Sequence, residues 1–149
     1  MANELEYKNI LAPVDGSPDS EHVALKAAAV AHRNDTRLDL LYVIDTNALS
    51  GVAGMSITGD VVYHLVQDSE DKLNKLKEQV LAAFPGLEVD IHMRFGSPKK
   101  VIVSEFPNDH DTGLILIGKS GLNALERLIV GSVTTFVVQN AKTDVLIVQ

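Results

Sequence analysis

The sequence predicts an α/β protein, an open parallel sheet of five strands joined by helical crossovers. Short apolar runs of strand length recur along the 149 residues, separated by stretches whose apolar residues fall three or four apart. Two of these runs end in the same punctuation, Gly16-Ser17-Pro18 and Gly96-Ser97-Pro98. Each reads as a turn, a capping hydroxyl and a proline suited to a helix's first position. The composition, 46% hydrophobic with only 5% aromatic, suits an aliphatic core between sheet and helices.

Tyr7 to Val14 is expected as the first strand, around the run Ile10-Leu11-Ala12. Asp15-Gly16 turns the chain, Ser17 caps a helix, and Pro18 opens it. That helix extends to about Arg33, with Ala24, Leu25, Ala28 and Ala31 as a thin apolar face that permits close packing on a sheet. Leu38 to Ile44 forms the second strand. Residues 46–60 hold three glycines and no sustained period, so they read as a long loop, either a lid or a variable connector. From Val61 a helical stripe returns in Val62, Leu65, Val66, Ser69, Leu73, Leu76, Val80 and Phe84, with Lys72, Lys75, Lys77 and Glu78 on a solvated face. Pro85-Gly86 ends it. Leu87 to Phe95 alternates apolar and polar residues, as a half-buried edge strand does. A further helix is expected to about Phe106, closed by Pro107-Asn108. Leu114 to Ile117 is a buried strand, Val133 to Asn140 a helix and Asp144 to Val148 the last strand.

Charge and residue usage narrow the function classes. A net charge of −7 argues against nucleic-acid binding through a broad basic surface. With no cysteine, disulfides and thiolate chemistry are excluded. The start, Met1-Ala2-Asn3-Glu4-Leu5-Glu6, does not read as a signal peptide, and no apolar run approaches the ~20 residues of a membrane span. The expectation is one cytoplasmic domain over 1–149. Histidines 22, 32, 64, 92 and 110 show no metal-ligand spacing. His22 and His32 read as surface residues, and Asp109-His110-Asp111 as a solvated turn. No G-x-S-x-G elbow is present, and no base stands ready to activate water, so rapid hydrolytic chemistry is not expected.

The segment after the fourth strand carries the functional signal. Gly113 to Ser120 formally matches the phosphate-loop pattern G-x4-G-K-S, but its variable positions are Leu-Ile-Leu-Ile, which belong in a strand and cannot cradle an anion. The wider spacing is more informative. Gly118-x2-Gly121-x9-Gly131-Ser132, followed by Val133 and the terminal run Asp144-Val145-Leu146-Ile147-Val148, resembles the universal stress protein family in its ATP-binding branch. Asn9 to Ser17 is similar to that family's first strand and the acidic residue after it, Leu41-Tyr42-Val43 to the end of its second strand, and Gly96-Ser97-Pro98 to its third strand-to-helix turn.

The resemblance implies a three-layer, Rossmann-like (adenine nucleotide alpha hydrolase-like) sheet of order 3-2-1-4-5. In such a sheet a ligand binds outside the carboxyl ends of the strands, here between the first and fourth. Asp15 and Gly118 follow those two strands, so segments a hundred residues apart are expected to meet. By resemblance, Asp15 and the main chain of Val43 hold the adenine edge, and Pro13 and Val14 line the pocket. Ile117, Gly118, Lys119, Gly121, Gly131, Ser132, Val133 and Thr134 surround the ribose and phosphates. The implied ligand is ATP (or ADP or AMP), with Mg²⁺ or Mn²⁺ arriving on the phosphates rather than in a protein-built metal site. The implied assembly is a homodimer through the terminal strand, acting as a stress-response regulator with slow or no hydrolysis. Two rivals stand beside it: a weak ATPase or other nucleotide-using enzyme, and a dimeric interaction module that binds no nucleotide.

Overall fold

The computed structural model describes residues 6–50, 59–120 and 130–149. Its strands are β1 (Ile10–Val14), β2 (Leu38–Asp45), β3 (Val89–Gly96), β4 (Leu114–Gly118) and β5 (Asp144–Val148). They form one parallel sheet of order β3-β2-β1-β4-β5. The helices are α1 (Ser20–Arg33), α2 (Thr46–Ser50), α3 (Gly59–Ala83), α4 (Pro98–Lys100), α5 (Phe106–His110) and α6 (Ser132–Asn140).

Strand alternation divides the core in two. Ile10, Ala12, Leu38, Leu40, Leu114 and Leu116 face α1 and α3, meeting Val23, Ala24, Ala27, Ala28, Ala31, Leu73, Leu76 and Val80. Leu11, Leu41, Ile115 and Ile117 face the other way and meet Val101, Ile102, Phe106 and Val137. Strands buried on both faces read as continuous apolar runs, which is why β1 and β4 stand out in the sequence. β3 lies at an edge, as its alternation predicts.

Element limits depart from expectation where local hydrogen bonds compete. The first strand starts at Ile10, not Tyr7: Asn9 takes a left-handed φ of 50°. The N–H groups of Tyr7 and Asn9 donate to the side chains of Asn34 and Thr36. The first helix starts at Ser20, because Ser17 to Ser20 form a turn with Pro18 second and the Ser20 N–H donating to the Ser17 carbonyl at 3.0 Å. At the second such motif the proline does open the helix, with Ser97 before it. Within the expected loop of 46–60, Thr46–Ser50 is helical, and Asp45 accepts the N–H groups of Asn47 and Ala48 at 2.9 and 3.3 Å. Residues 51–58 of that loop lie outside the described residues.

Pro107 does not close its helix. The chain stays helical through Val101–Glu105, where the turn widens to π geometry and the Phe106 N–H reaches back to the Val101 carbonyl. A wider turn makes room for a proline ring that would strike a regular α-helix. Helical structure continues to His110 and ends at Asp111, whose φ is 51°.

Candidate functional site

The connections of β1 and β4 leave toward opposite edges of the sheet, since β1 is followed in the sheet by β2 on one side and β4 by β5 on the other. Such a reversal opens a crevice at the carboxyl ends of the two strands. The ladder between the two strands is also the shortest in the sheet. β1 pairs with β2 through all five of its residues, and β4 pairs with β5 through all five. Between β1 and β4 the register stops after Ile10↔Leu114 and Leu11↔Ile115.

Pro13 supplies a reason for that stop. Successive residues of a strand direct their N–H groups to opposite neighbours. The Ile10 N–H donates to the Arg37 carbonyl on the β2 side, so the nitrogens of Leu11 and Pro13 face β4. Proline has no N–H, and the rung beyond Leu11 has no donor. The sequence contains this signal, a proline inside an apolar strand, which usually marks an edge. Here it sits between two central strands, on the side where their pairing ends.

At the mouth of the crevice, Asp15 is half-buried and uses Oδ1 to accept the Ser17 N–H at 2.9 Å and the Ser20 hydroxyl at 3.3 Å. Gly16 turns the chain with a φ of +77°. Across the crevice, the start of α6 is fastened to the end of β4. The Thr134 hydroxyl donates to the Gly118 carbonyl at 2.7 Å, and the Gly131 N–H donates to the Lys119 carbonyl at 2.9 Å. The Lys119 N–H in turn donates to the Val148 carbonyl at 2.9 Å. Gly118, Lys119, Gly131, Ser132 and Thr134 are therefore held in one cluster, and several of their donors serve the fold itself. Ser132, Val133 and Thr134 occupy the first turn of α6, where an α-helix leaves its amides without internal partners. A Cβ on Gly118 would lie 3.2 Å from a methyl of Val23, so glycine there serves the packing of α1. Val43 is half-buried at the carboxyl half of β2. Gly121 lies outside the described residues.

The phosphate-loop match is set aside by the same geometry. Leu114 to Gly118 is strand, and a Cβ on Gly113 would sit 2.3 Å from the Lys8 carbonyl oxygen. Glycine is required there by a neighbouring backbone, not by a ligand.

A second polar cluster was not anticipated. Asp39 is 0% exposed on β2, and its Oδ2 accepts from Arg37 Nε and Nη2, both at 3.2 Å. His92 Nε2 lies 2.9 Å from Asp39 Oδ1. His110 is not in a solvated turn: its ring stacks on Phe106 at 3.9 Å with an interplanar angle of 5°. The only warning in the sequence is a charge within the run Leu38-Asp39-Leu40-Leu41. Ligand atoms of Asp39, Asp90 and His92 lie within 4.8 Å of one another, a spacing a metal could bridge. The Arg37 guanidinium already lies 3.2 Å from Asp39 and 3.9 Å from Asp90 and supplies the positive charge.

Comparison with known proteins gives a consistent picture. A profile of the universal stress protein family matches residues 6–149. A Staphylococcus epidermidis protein assigned to the universal stress proteins is 41% identical over 148 residues, 97% of this chain and 86% of the relative. The structure of universal stress protein UspA from Lactobacillus plantarum superposes with a TM-score of 0.78 at 28% identity, covering 98% of this chain and all of that one (100%). Two more distant neighbours share the fold. One is a universal stress protein in complex with cAMP (TM-score 0.70, 21% identity, covering 97% of this chain and 98% of that one). The other is the Archaeoglobus fulgidus protein in complex with dAMP (TM-score 0.62, 17% identity, covering 97% and 100%).

Proposed function

The chain belongs to the universal stress protein family, and on that premise we propose that it binds an adenine nucleotide in the crevice between β1 and β4. The reversal of strand order between β1 and β4 carries the reading, because it sets the Asp15 turn and the segment leading to the first turn of α6 at the carboxyl ends of adjacent strands. Nucleotide complexes of two structural neighbours support the ligand class. Asp15 and the main chain of Val43 would take the adenine edge, with Pro13 and Val14 against the ring. Ile117, Gly118, Lys119, Gly121, Gly131, Ser132, Val133 and Thr134 would surround ribose and phosphates. The amides of Ser132, Val133 and Thr134 and the helix dipole behind them suit negative charge. Charge-assisted hydrogen bonds of this kind contribute roughly 1.5–3 kcal/mol each, so a few of them reach micromolar affinity after ordering costs. ATP is the nucleotide proposed, and its Mg²⁺ or Mn²⁺ would be carried by phosphate oxygens.

The proposed role is regulatory: occupancy of the crevice alters a homodimer or its contacts, with hydrolysis slow or absent. The edge strand β5 suits the dimer, since Leu146 is 40% exposed in it and Val138 of α6 is 49% exposed. An unpaired apolar edge is otherwise an aggregation hazard.

The test is to denature purified protein and look for released adenine nucleotide, then titrate the stripped protein with ATP with and without Mg²⁺. Micromolar binding, weakened about tenfold or more by Asp15→Ala with the fold retained, is the expected result. No released nucleotide and no binding at millimolar ATP would leave the nucleotide-free interaction module as the better reading. Phosphate release at several turnovers per second would favour the enzyme.

A further inference from the structure

A cation that the sequence did not single out stands beside the proposed site. Val43 and Val133, both placed at the nucleotide, pack against the core cluster of Leu11, Leu41, Ile117 and Val137. Pro13 follows Leu11 by two residues in β1 and shares its face. The site thus borders the side of the sheet covered by α6 and by the helical run that starts with α4. On that side α4 lies against α6.

Lys99, three residues beyond the end of β3, reaches across to α6, and its Nζ lies 5.7 Å from the centre of the Phe136 ring. It is half-buried and pairs with no carboxylate among the described residues. Among the described lysines only Lys77, Lys99 and Lys119 are half-buried. Lys77 belongs to α3, which packs on the opposite face of the sheet, and Lys119 is already assigned to the site. An aromatic face holds an ammonium more weakly than an anion would, so Lys99 keeps its charge available.

Phe136 follows Ser132 by four residues, so the two share one stripe of α6, about 6 Å apart along its axis. Helical side chains lean toward the N-terminus, which carries the Phe136 ring, and the ammonium over it, toward the first turn. The flexible lysine stem can cover the remaining distance by rotation about its own bonds. The amides of that turn offer only partial charge, and the chain's net charge of −7 opposes a polyphosphate. A full positive charge beside the turn offsets both.

We propose that Lys99 is a phosphate-binding cation of the crevice: its ammonium leaves the Phe136 ring to pair with a phosphate oxygen, and the site thereby prefers ATP to unphosphorylated adenosine. The inference rests on the crevice being the nucleotide site.

Calorimetric titration of the stripped full chain with adenosine and with ATP, in the absence of divalent cations, tests it. Lys99→Met keeps an unbranched stem and should weaken ATP about tenfold while leaving adenosine within about twofold. Lys99→Arg should hold ATP within about threefold of wild type, and Lys99→Glu should weaken it beyond the methionine variant, again sparing adenosine. The fall of ATP affinity with added salt should be shallower in Lys99→Met, which a packing role would not produce. Retained adenosine binding reports an intact pocket in each variant. ATP bound by Lys99→Met as tightly as by wild type, or ATP and adenosine weakened in the same proportion, would overturn the role of Lys99 and leave the nucleotide site standing. A wild-type chain that binds neither probe would overturn the crevice reading, and this inference with it.

Discussion

Asp39 and Arg37 offer a perturbation that should strike the fold and spare the crevice. Arg37→Met keeps an unbranched apolar stem and deletes the guanidinium. Asp39 Oδ2 then loses Nε and Nη2, both at 3.2 Å, and the His110 carbonyl loses a donor at 3.3 Å. Breaking a buried ion pair by removing one partner costs about 3–5 kcal/mol. Two features lower that figure. The Arg37 side chain is 25% exposed, so water can take part of its place, and His92 stays 2.9 Å from the other Asp39 oxygen. The Asp39 side chain is only 1% exposed, however, so water reaches the carboxylate itself poorly. The expected loss is about 2–3 kcal/mol, read from urea unfolding with an unchanged slope. The double variant Arg37→Met/Asp39→Leu removes the stranded charge and should recover to within about 1 kcal/mol of wild type. Nucleotide binding should be the same in all three proteins. A single variant within about 0.5 kcal/mol of wild type, or a double variant less stable than the single one, would refute the argument that Arg37 neutralises a buried carboxylate.

Two further outcomes follow from local geometry. Gly113→Ala places a Cβ 2.3 Å from the Lys8 carbonyl oxygen, a backbone atom that no rotamer change can move. A loss of about 2–3 kcal/mol, hence roughly 4–12 °C in melting temperature by circular dichroism, is expected; a shift under a degree would contradict it. Tyr7 donates its phenolic hydrogen to Asp144 Oδ2 at 2.9 Å, and that hydrogen bond holds the phenol above its ordinary value of 10.0. The folded pKa exceeds the unfolded one, so the bond's contribution is complete below pH 10 and is lost as pH rises through the raised value. Tyr7→Phe should therefore melt lower than wild type at pH 8, and the gap should close above the raised pKa. A gap independent of pH would assign the effect to packing alone.

Much of the fold was legible because it rests on periodicity within one segment. The alanine face of α1 and the apolar runs of β1 and β4 each state their environment without reference to distant residues. Boundaries were legible only where no competing partner intervened. Ser97-Pro98 opens its helix as expected, while the similar Ser17-Pro18 forms a turn first, because Asp15 and Ser20 bind it from either side. Tyr7 and Asn9 look like strand until Asn34 and Thr36 arrive from the far end of α1 to take their N–H groups. The Arg37–Asp39–His92 cluster depends on β2 and β3 lying side by side, which no local pattern states.

Pro13 joins the two kinds of information. Taken alone, it lowers the expectation that its segment is a central strand, since a proline there leaves a ladder position without its donor. Taken with the strand order, the same missing N–H falls on the β4 side, where the ladder ends after Leu11↔Ile115. The residue that counts against a central strand is then placed to end the pairing of two central strands toward their carboxyl ends. An irregularity in an otherwise apolar strand is thus better read after topology is known, as the place where the sheet gives up pairing beside the reversal of its strand order.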